Sequence, residues 1–205
     1  MTDHYYSRTP IAGSDKKIHE AVLRGRTLRF TTDSGVFSKT GVDYGSRVLI
    51  ETMELPEDAS VLDVGCGYGP IGLAAAAVVP SGHVTMIDIN ERAVQLARDN
   101  AALNGLSERV TVLQSDLFEA LEGRGFDAIL TNPPIRAGKP VVHRIFEEGY
   151  ALLKPGGSMW VVIQKKQGAP SAAAKLEEVF GNVRELGKDK GYRILRAVKE
   201  SQTNQ

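Results

Sequence analysis

Residues Leu62–Gly72 read LDVGCGYGPIG. Ser60–Gly65, SVLDVG, has the apolar density of a buried strand, and an Ala-rich run from about Ile71 to Val79 reads as a helix. Between them stand glycines at 65, 67, 69 and 72. Glycine permits a tight turn and lets the backbone approach a ligand closely. An ordinary strand-to-helix turn needs fewer glycines than this.

Outward from this loop the alternation repeats. His83–Ile89 predicts a strand, and Glu91–Asn104 a helix with Ala93, Val94, Ala97 and Ala101 on one face. Val110–Asp116 and Phe126–Asn132 predict strands. Lys139–Gly157 predicts a helix ended by Pro155 and two glycines. Ser158–Gln164 predicts a strand, Ser171–Phe180 a helix, and the segments from Asn182 and Gly191 a hairpin. Such alternation implies an α/β fold: a doubly wound, mostly parallel seven-stranded sheet closed by an antiparallel C-terminal hairpin. Residues 1–55 stand outside the pattern. They predict a small N-terminal cap, with short strands and turns over Lys16–Ser38 and a helix over Asp43–Glu54, ahead of a ligand-binding domain at 56–205.

The chain has 205 residues, enough to bury one real core. Its 25 basic and 25 acidic residues cancel, so any polyanion must be held by a local patch. A lone cysteine, Cys66, excludes an internal disulfide framework and fits a reducing compartment such as the cytoplasm. The N-terminus lacks a secretory pattern, and the longest apolar run is too short to span a membrane. His4, His19, His83 and His143 lack metal-ligand spacing, so no metal is expected.

Two cofactors compete for the loop. Gly67, Gly69 and Gly72 satisfy the dinucleotide spacing, and Asp88 follows Gly69 by nineteen positions, where a carboxylate can hold ribose hydroxyls. Asp63, however, puts a carboxylate at the end of the first strand. It suits a ligand bearing an ammonium group better than a pyrophosphate, and no Arg or Lys lies in the loop to meet phosphate.

A second unusual stretch is Thr131–Lys139, TNPPIRAGK, after the apolar run Phe126–Leu130. Pro133 and Pro134 cannot continue a ladder, and Pro133 keeps Asn132 extended. Together, DVGCGYGPIG, the acid closing the second strand, Ser115-Asp116-Leu117 and Asn132-Pro133-Pro134-Ile135 resemble the class I S-adenosylmethionine-dependent methyltransferases. Phe30–Ser46, FTTDSGVFSKTGVDYGS, narrows the resemblance to their small-domain group, which includes enzymes acting on the exocyclic amine of guanine in small-subunit ribosomal RNA.

The resemblance implies roles. Asp63, Gly65, Cys66, Gly67 and Gly69 would form the cofactor loop, with the first four of these residues, Gly69 excepted, beside the methionine half. Asp88 would hold the ribose and Ile89 would lie beside the adenine. Asp116 would accept from the adenine amine and Leu117 would pack on the ring. Asp116 could instead cap the following turn, Leu117 could be plain core, and Cys66 reads as a small loop filler rather than a nucleophile.

Asn132, Pro133, Pro134 and Ile135 would form the acceptor site. An exocyclic amine is a poor nucleophile because its lone pair is delocalised. Two acceptors, the Asn132 side-chain oxygen and the Pro133 carbonyl, would take its hydrogens and leave the lone pair in line with the methyl. On this reading the prolines also remove donors that would compete for those carbonyls. Ile135 replaces the aromatic residue common at this place, so Phe37 becomes a candidate for planar recognition, or else a core residue beneath the cap.

Arg136 and Lys139 follow the corner. Residues 1–30 carry six basic side chains (Arg8, Lys16, Lys17, Arg24, Arg26, Arg29) against Asp3, Asp15 and Glu20. That asymmetry suggests a basic face for RNA, or a solvated surface. The leading expectation is an RNA-base N-methyltransferase acting on guanine in 16S ribosomal RNA. The alternatives are a protein glutamine or DNA adenine as acceptor, a nicotinamide-dependent oxidoreductase, and a non-catalytic binding module.

Overall fold

The computed structural model describes residues 7–201 except 122 and 124. A hairpin of β1 (Lys17–Leu23) and β2 (Arg26–Thr32) precedes helix α1 (Tyr44–Thr52). Then follow β3 (Ser60–Val64), α2 (Pro70–Val78), β4 (His83–Asp88), α3 (Glu91–Leu103), β5 (Val110–Gln114) and β6 (Phe126–Thr131). Helix α4 (Lys139–Leu152), β7 (Leu153–Gln164), α5 (Ala169–Phe180), β8 (Arg184–Asp189) and β9 (Tyr192–Val198) complete the chain.

The seven-stranded sheet has the order β5-β4-β3-β6-β7-β9-β8. Strands β3 to β7 pair in parallel, and β9 runs antiparallel to both β7 and β8. The chain moves outward from β3 on one side through β4 and β5, then returns to β3's other side as β6. That reversal opens a crevice beyond the C-terminal ends of β3 and β6, where ligands bind in folds of this kind.

Strand alternation feeds two cores. Val61, Met86, Leu130 and Trp160 are buried on one face against α1, α2 and α3. Leu62, Ile87, Ile129 and Val161 are buried on the other against α4 and α5. Helix α4 stops five residues earlier than the sequence pattern predicts. The Lys154–Gly157 stretch is held by the chain's far end instead. Gly156 N–H donates to the Lys199 carbonyl (2.7 Å), and Lys199 N–H to that of Gly157 (2.8 Å). Any side chain at Gly157 would press on three backbone oxygens.

The N-terminal hairpin shares the first core, since Leu23, Leu28 and Phe30 belong to the cluster that holds α2 and α3. Residues 1–6 of the proposed cap, His4 among them, lie outside the described residues. Asn100 of α3 fastens the hairpin. Its side chain accepts from Thr31 N–H (2.7 Å) and donates to the carbonyls of Thr31 (3.0 Å) and Tyr68 (2.9 Å), and it is fully buried. Asn100→Ala should therefore leave buried backbone groups unpaired. We expect chemical denaturation to show a loss of about 1–3 kcal/mol; a loss within error would mean that the hairpin is held by its apolar contacts alone.

Candidate active site

The glycine loop crosses the mouth of the crevice. Gly65 (φ 70°) and Gly67 (φ 56°) are left-handed, and the space beside each is open. Gly65 and Cys66 both donate their N–H to the Ile87 carbonyl, at 2.9 and 3.0 Å. Gly67 N–H donates to Asp88 Oδ2 (2.8 Å), and Asn90 N–H to Asp88 Oδ1 (2.8 Å). Gly72 has a different task. A side chain there would run into the Met86 sulfur, and its absence lets Gly72 N–H reach Asp63 Oδ2 at 2.8 Å.

A cavity of about 370 Å³ lies over this loop, within the usual range for small-molecule sites. Of the residues singled out in the sequence, Phe37, Gly65, Cys66, Gly67, Asp88, Ile89, Asp116, Leu117, Asn132, Pro133, Pro134 and Arg136 line it. Asp63, Gly69, Ile135 and Lys139 are not among its lining residues. Asp63 is fully buried beneath the loop and meets it through Gly72 N–H. Gly69 is the N-cap of α2. Ile135 packs against the α4–α5 core, and Lys139 is an exposed first residue of α4. Phe37 is 43% exposed at the rim, which removes the option of a core residue beneath the cap.

The loop's electrostatics are acidic. Burial pushes the Asp63 carboxyl up to about 7, Gly72 N–H opposes this, and the nearby Asp88 charge adds to it. Burial likewise raises Asp88 to about 6 against its backbone donors. Asp63 Oδ1 is buried with no hydrogen-bond partner among the described residues. Two acids without a cation would repel a pyrophosphate and favour a positively charged ligand. Burial, then Asp88 and Asp63, push the Cys66 thiol well up, so it is no thiolate nucleophile.

On the opposite wall, Leu117 has φ 49°, a strained region for a leucine. Ser115 Oγ holds it there by donating to the Leu117 carbonyl (2.7 Å) while accepting from Ala120 N–H (3.1 Å). The Asp116 carbonyl accepts from Glu119 N–H (3.4 Å), and its carboxylate lies 3.3 Å from the Arg8 guanidinium.

The proline corner differs from expectation in one respect. Ile135 N–H reaches back to the Pro133 carbonyl (2.9 Å), with Pro134 at φ −75°, ψ 81° between them, and Ala137 N–H bonds the Pro134 carbonyl (2.9 Å). This is an inverse γ-turn followed by one tight helical turn. The prolines therefore do not leave those carbonyls free of donors: Pro133 keeps one lone pair of its two.

Sequence reading missed Asp43 and Ser46. Asp43 caps α1 by accepting Ser46 N–H at Oδ2 (3.0 Å), and Asn132 Nδ2 donates to Asp43 Oδ2 and Ser46 Oγ, both at 3.2 Å. Both residues line the cavity. An ionised carboxylate can only accept, so the amide must present its NH2 to Asp43, and Oδ1 is turned away from it. The Asp-to-Ser capping spacing was visible in the sequence. The partner 89 residues away was not.

Of the expected N-terminal basic face, Lys16 and Arg26 are exposed, and the other members are engaged within the protein. The Arg24 guanidinium donates to the Ile50, Glu51 and Met53 carbonyls (3.4, 3.4 and 2.7 Å), closing the C-terminal end of α1. Arg29 pairs with Glu20 at 3.6 Å, Lys17 with Asp15 at 3.4 Å, and Arg8 with Asp116. Among the described residues no cluster of three His, Cys, Asp or Glu could hold a metal, and no helix is long and apolar enough to cross a membrane.

A nucleotide-sized crevice at the strand reversal, with an acidic glycine loop and an Asn-Pro-Pro corner, defines a methyltransferase site of the Rossmann-like kind. The profile of the methyltransferase small domain family matches residues 27–196, and the chain belongs to that family. It is 53% identical to the uncharacterized protein YbxB of Bacillus subtilis over 97% of this chain and all of that one. It is 30% identical to ribosomal RNA small subunit methyltransferase C of Escherichia coli, over 93% of this chain and 54% of that protein. Among solved structures, the T. thermophilus 16S rRNA N2 methyltransferase RsmC in complex with AdoMet and guanosine superposes with TM-score 0.80 at 30% identity, covering 93% of this chain and 52% of the other. The chain thus spans about half the length of the curated RNA methyltransferases it matches. It is an S-adenosylmethionine-dependent methyltransferase.

Asp63 offers a test of the loop's charge. Its carboxyl keeps a proton up to about 7 in the fold, against 3.8 when free. Its stabilising contribution is therefore complete below about pH 4 and is lost as the pH rises through 7. Asp63→Asn keeps an acceptor for Gly72 without the charge. In thermal unfolding of the ligand-free protein, the variant's advantage in Tm should widen from pH 5 to pH 8; a gap that narrows over that range contradicts a protonated Asp63.

Proposed function

We propose that this chain methylates an exocyclic amine of an RNA base, with guanine in 16S ribosomal RNA as the target, in the reducing environment of the cytoplasm. The observation that carries the reading is the Asn132 amide, held by Asp43 and Ser46 with its oxygen left for an acceptor. The likeness to RNA methyltransferases supports it. Residues 56–205 would hold the cofactor, and 1–55 would close the acceptor side.

In this proposal Asp88 holds the ribose, Gly65, Cys66 and Gly67 bound the methionine half, and Ile89, Asp116 and Leu117 bound the adenine. Asp88's oxygens each use one lone pair on the backbone and keep another for a hydroxyl. Asp63 acts through the loop, and a cationic ligand would favour its ionised form over the protonated one. When bound, S-adenosylmethionine supplies a methyl already activated on a sulfonium, released with a neutral thioether. The protein's share is placement. Asn132 Oδ1 and the remaining lone pair of Pro133 accept the two amine hydrogens, and the nitrogen lone pair is left facing the methyl. A proton is lost only after the new N–C bond has made the nitrogen acidic, so no strong base is required beforehand. Phe37 and Arg136, at the rim, flank the entering base.

Tritiated methyl transfer into RNA fractions followed by nucleoside analysis should yield N2-methylguanosine; label in a protein glutamine and none in RNA would overturn the reading. Asn132→Ala should remove most transfer with little change in S-adenosylhomocysteine affinity. Asp43→Ala should lower kcat at least tenfold, since the amide is freed to rotate. Wild-type rates in both variants would make the corner purely structural.

A further inference from the structure

We propose that the RNA strand flanking the target base lies across a lysine rim at the C-terminal end of β7 and the adjoining start of β9, formed by Lys165, Lys166, Lys188 and Lys190. The inference rests on the RNA reading above. It replaces the N-terminal face, where Arg8, Arg24 and Arg29 are engaged within the protein.

The four lysines come from the stretch after β7 and from the β8–β9 hairpin, brought together by the sheet. Lys165 and Lys166 follow β7, and Lys188 and Lys190 stand at the β8–β9 turn. Gln164 pairs with Tyr192 across the sheet, and Lys165 N–H donates to the Gly191 carbonyl (2.8 Å). All four are exposed, and none forms an ion pair with a carboxylate of the described residues. The one acid among them, Asp189, has its carboxylate hydrogen-bonded by the Tyr44 hydroxyl.

The rim is joined rigidly to the acceptor site. Tyr44 is the first residue of α1, next to Asp43. Its ring lies 5.9 Å from that of Tyr192, and Lys190 sits 4.6 Å above it. Gly45 lies so close under the Tyr192 ring that a side chain there would overlap it. The helix end that orients Asn132 is thus clamped by the turn that carries the lysines. The β7 and β9 strand ends stand roughly 5 and 10 Å to the side of β6, by the usual strand spacing. A strand whose base enters over Asn132 would pass its neighbouring phosphates over this edge. By contrast, Arg24 closes the opposite end of α1, about 14 Å away for a helix of nine residues.

Two triple variants of the full chain with equal charge loss separate the faces: Lys165→Ala/Lys166→Ala/Lys190→Ala on the rim, and Lys16→Ala/Lys17→Ala/Arg26→Ala away from it. Anisotropy of a fluorescein-labelled single-stranded guanosine-containing RNA is measured over a KCl series, with S-adenosylhomocysteine calorimetry as the control for folding. Removing one phosphate-neutralising side chain should reduce the log–log salt slope by roughly 0.7. The rim triple should therefore flatten the slope by about 2 and weaken binding at low salt tenfold or more. The remote triple should stay within twofold of wild type, and cofactor affinity should be unchanged in both. Should the wild type methylate RNA while the rim triple keeps its slope, or the remote triple lose it, the rim assignment falls and the function stands. Should the wild type bind and methylate no RNA, the functional reading falls and the rim with it.

Discussion

Asp63, buried at the end of β3, accepts the N–H of Gly72 in the first turn of α2, and much of the molecule is arranged around that bond. It sets how β3 hands over to α2, and therefore where the glycine loop lies. Gly72 must lack a side chain for the helix to come so close to Met86 and the carboxylate. Asp88 repeats the device one strand over by taking Gly67 N–H. Two acids thus shape the loop by accepting its amides, and both are raised toward neutrality by burial. That arrangement costs stability, because carboxylates are brought out of water without a cation. A positively charged ligand would offset part of that cost.

The second organising contact lies across the crevice. Asp43 caps α1 and holds the Asn132 amide in one orientation, so a residue at the start of α1 controls a group at the end of β6. Ser46, from the first turn of the same helix, completes the hold. The helix end is in turn pinned by Tyr192 and the Tyr44–Asp189 bond. Acceptor geometry therefore depends on the last hairpin of the sheet as well as on the proline corner.

The parts legible in the sequence were those whose signal is local. The glycine loop, the apolar strands and the amphipathic α3 announce themselves within a dozen residues, and the strand–helix alternation leaves few topologies. What was not legible depends on distant partners. Pro155 and its glycines read as a helix stop, but the segment already belongs to β7 because Lys199 pairs with it. Arg24 counted as a free charge until the end of α1 came beside it. The Pro133 carbonyl looked free because prolines lack donors, yet Ile135, two residues on, supplies one through the γ-turn. Asp43 read only as part of the first turn of its helix, and its bond to Asn132 appears only in three dimensions.

If the Asn132 oxygen, oriented by Asp43, recognises the exocyclic amine of guanine, then two RNAs that differ only in that amine should be told apart. One carries guanosine at the target position and the other inosine, which has hydrogen in place of the amine. Their affinities are measured for the wild type and for Asn132→Ala in the presence of S-adenosylhomocysteine. The wild type should prefer guanosine several-fold or more, as expected for a polar group left unpaired, and the preference should disappear in the variant. Equal binding of the two RNAs by the wild type, or a preference that survives the loss of Asn132, would contradict recognition through this amide.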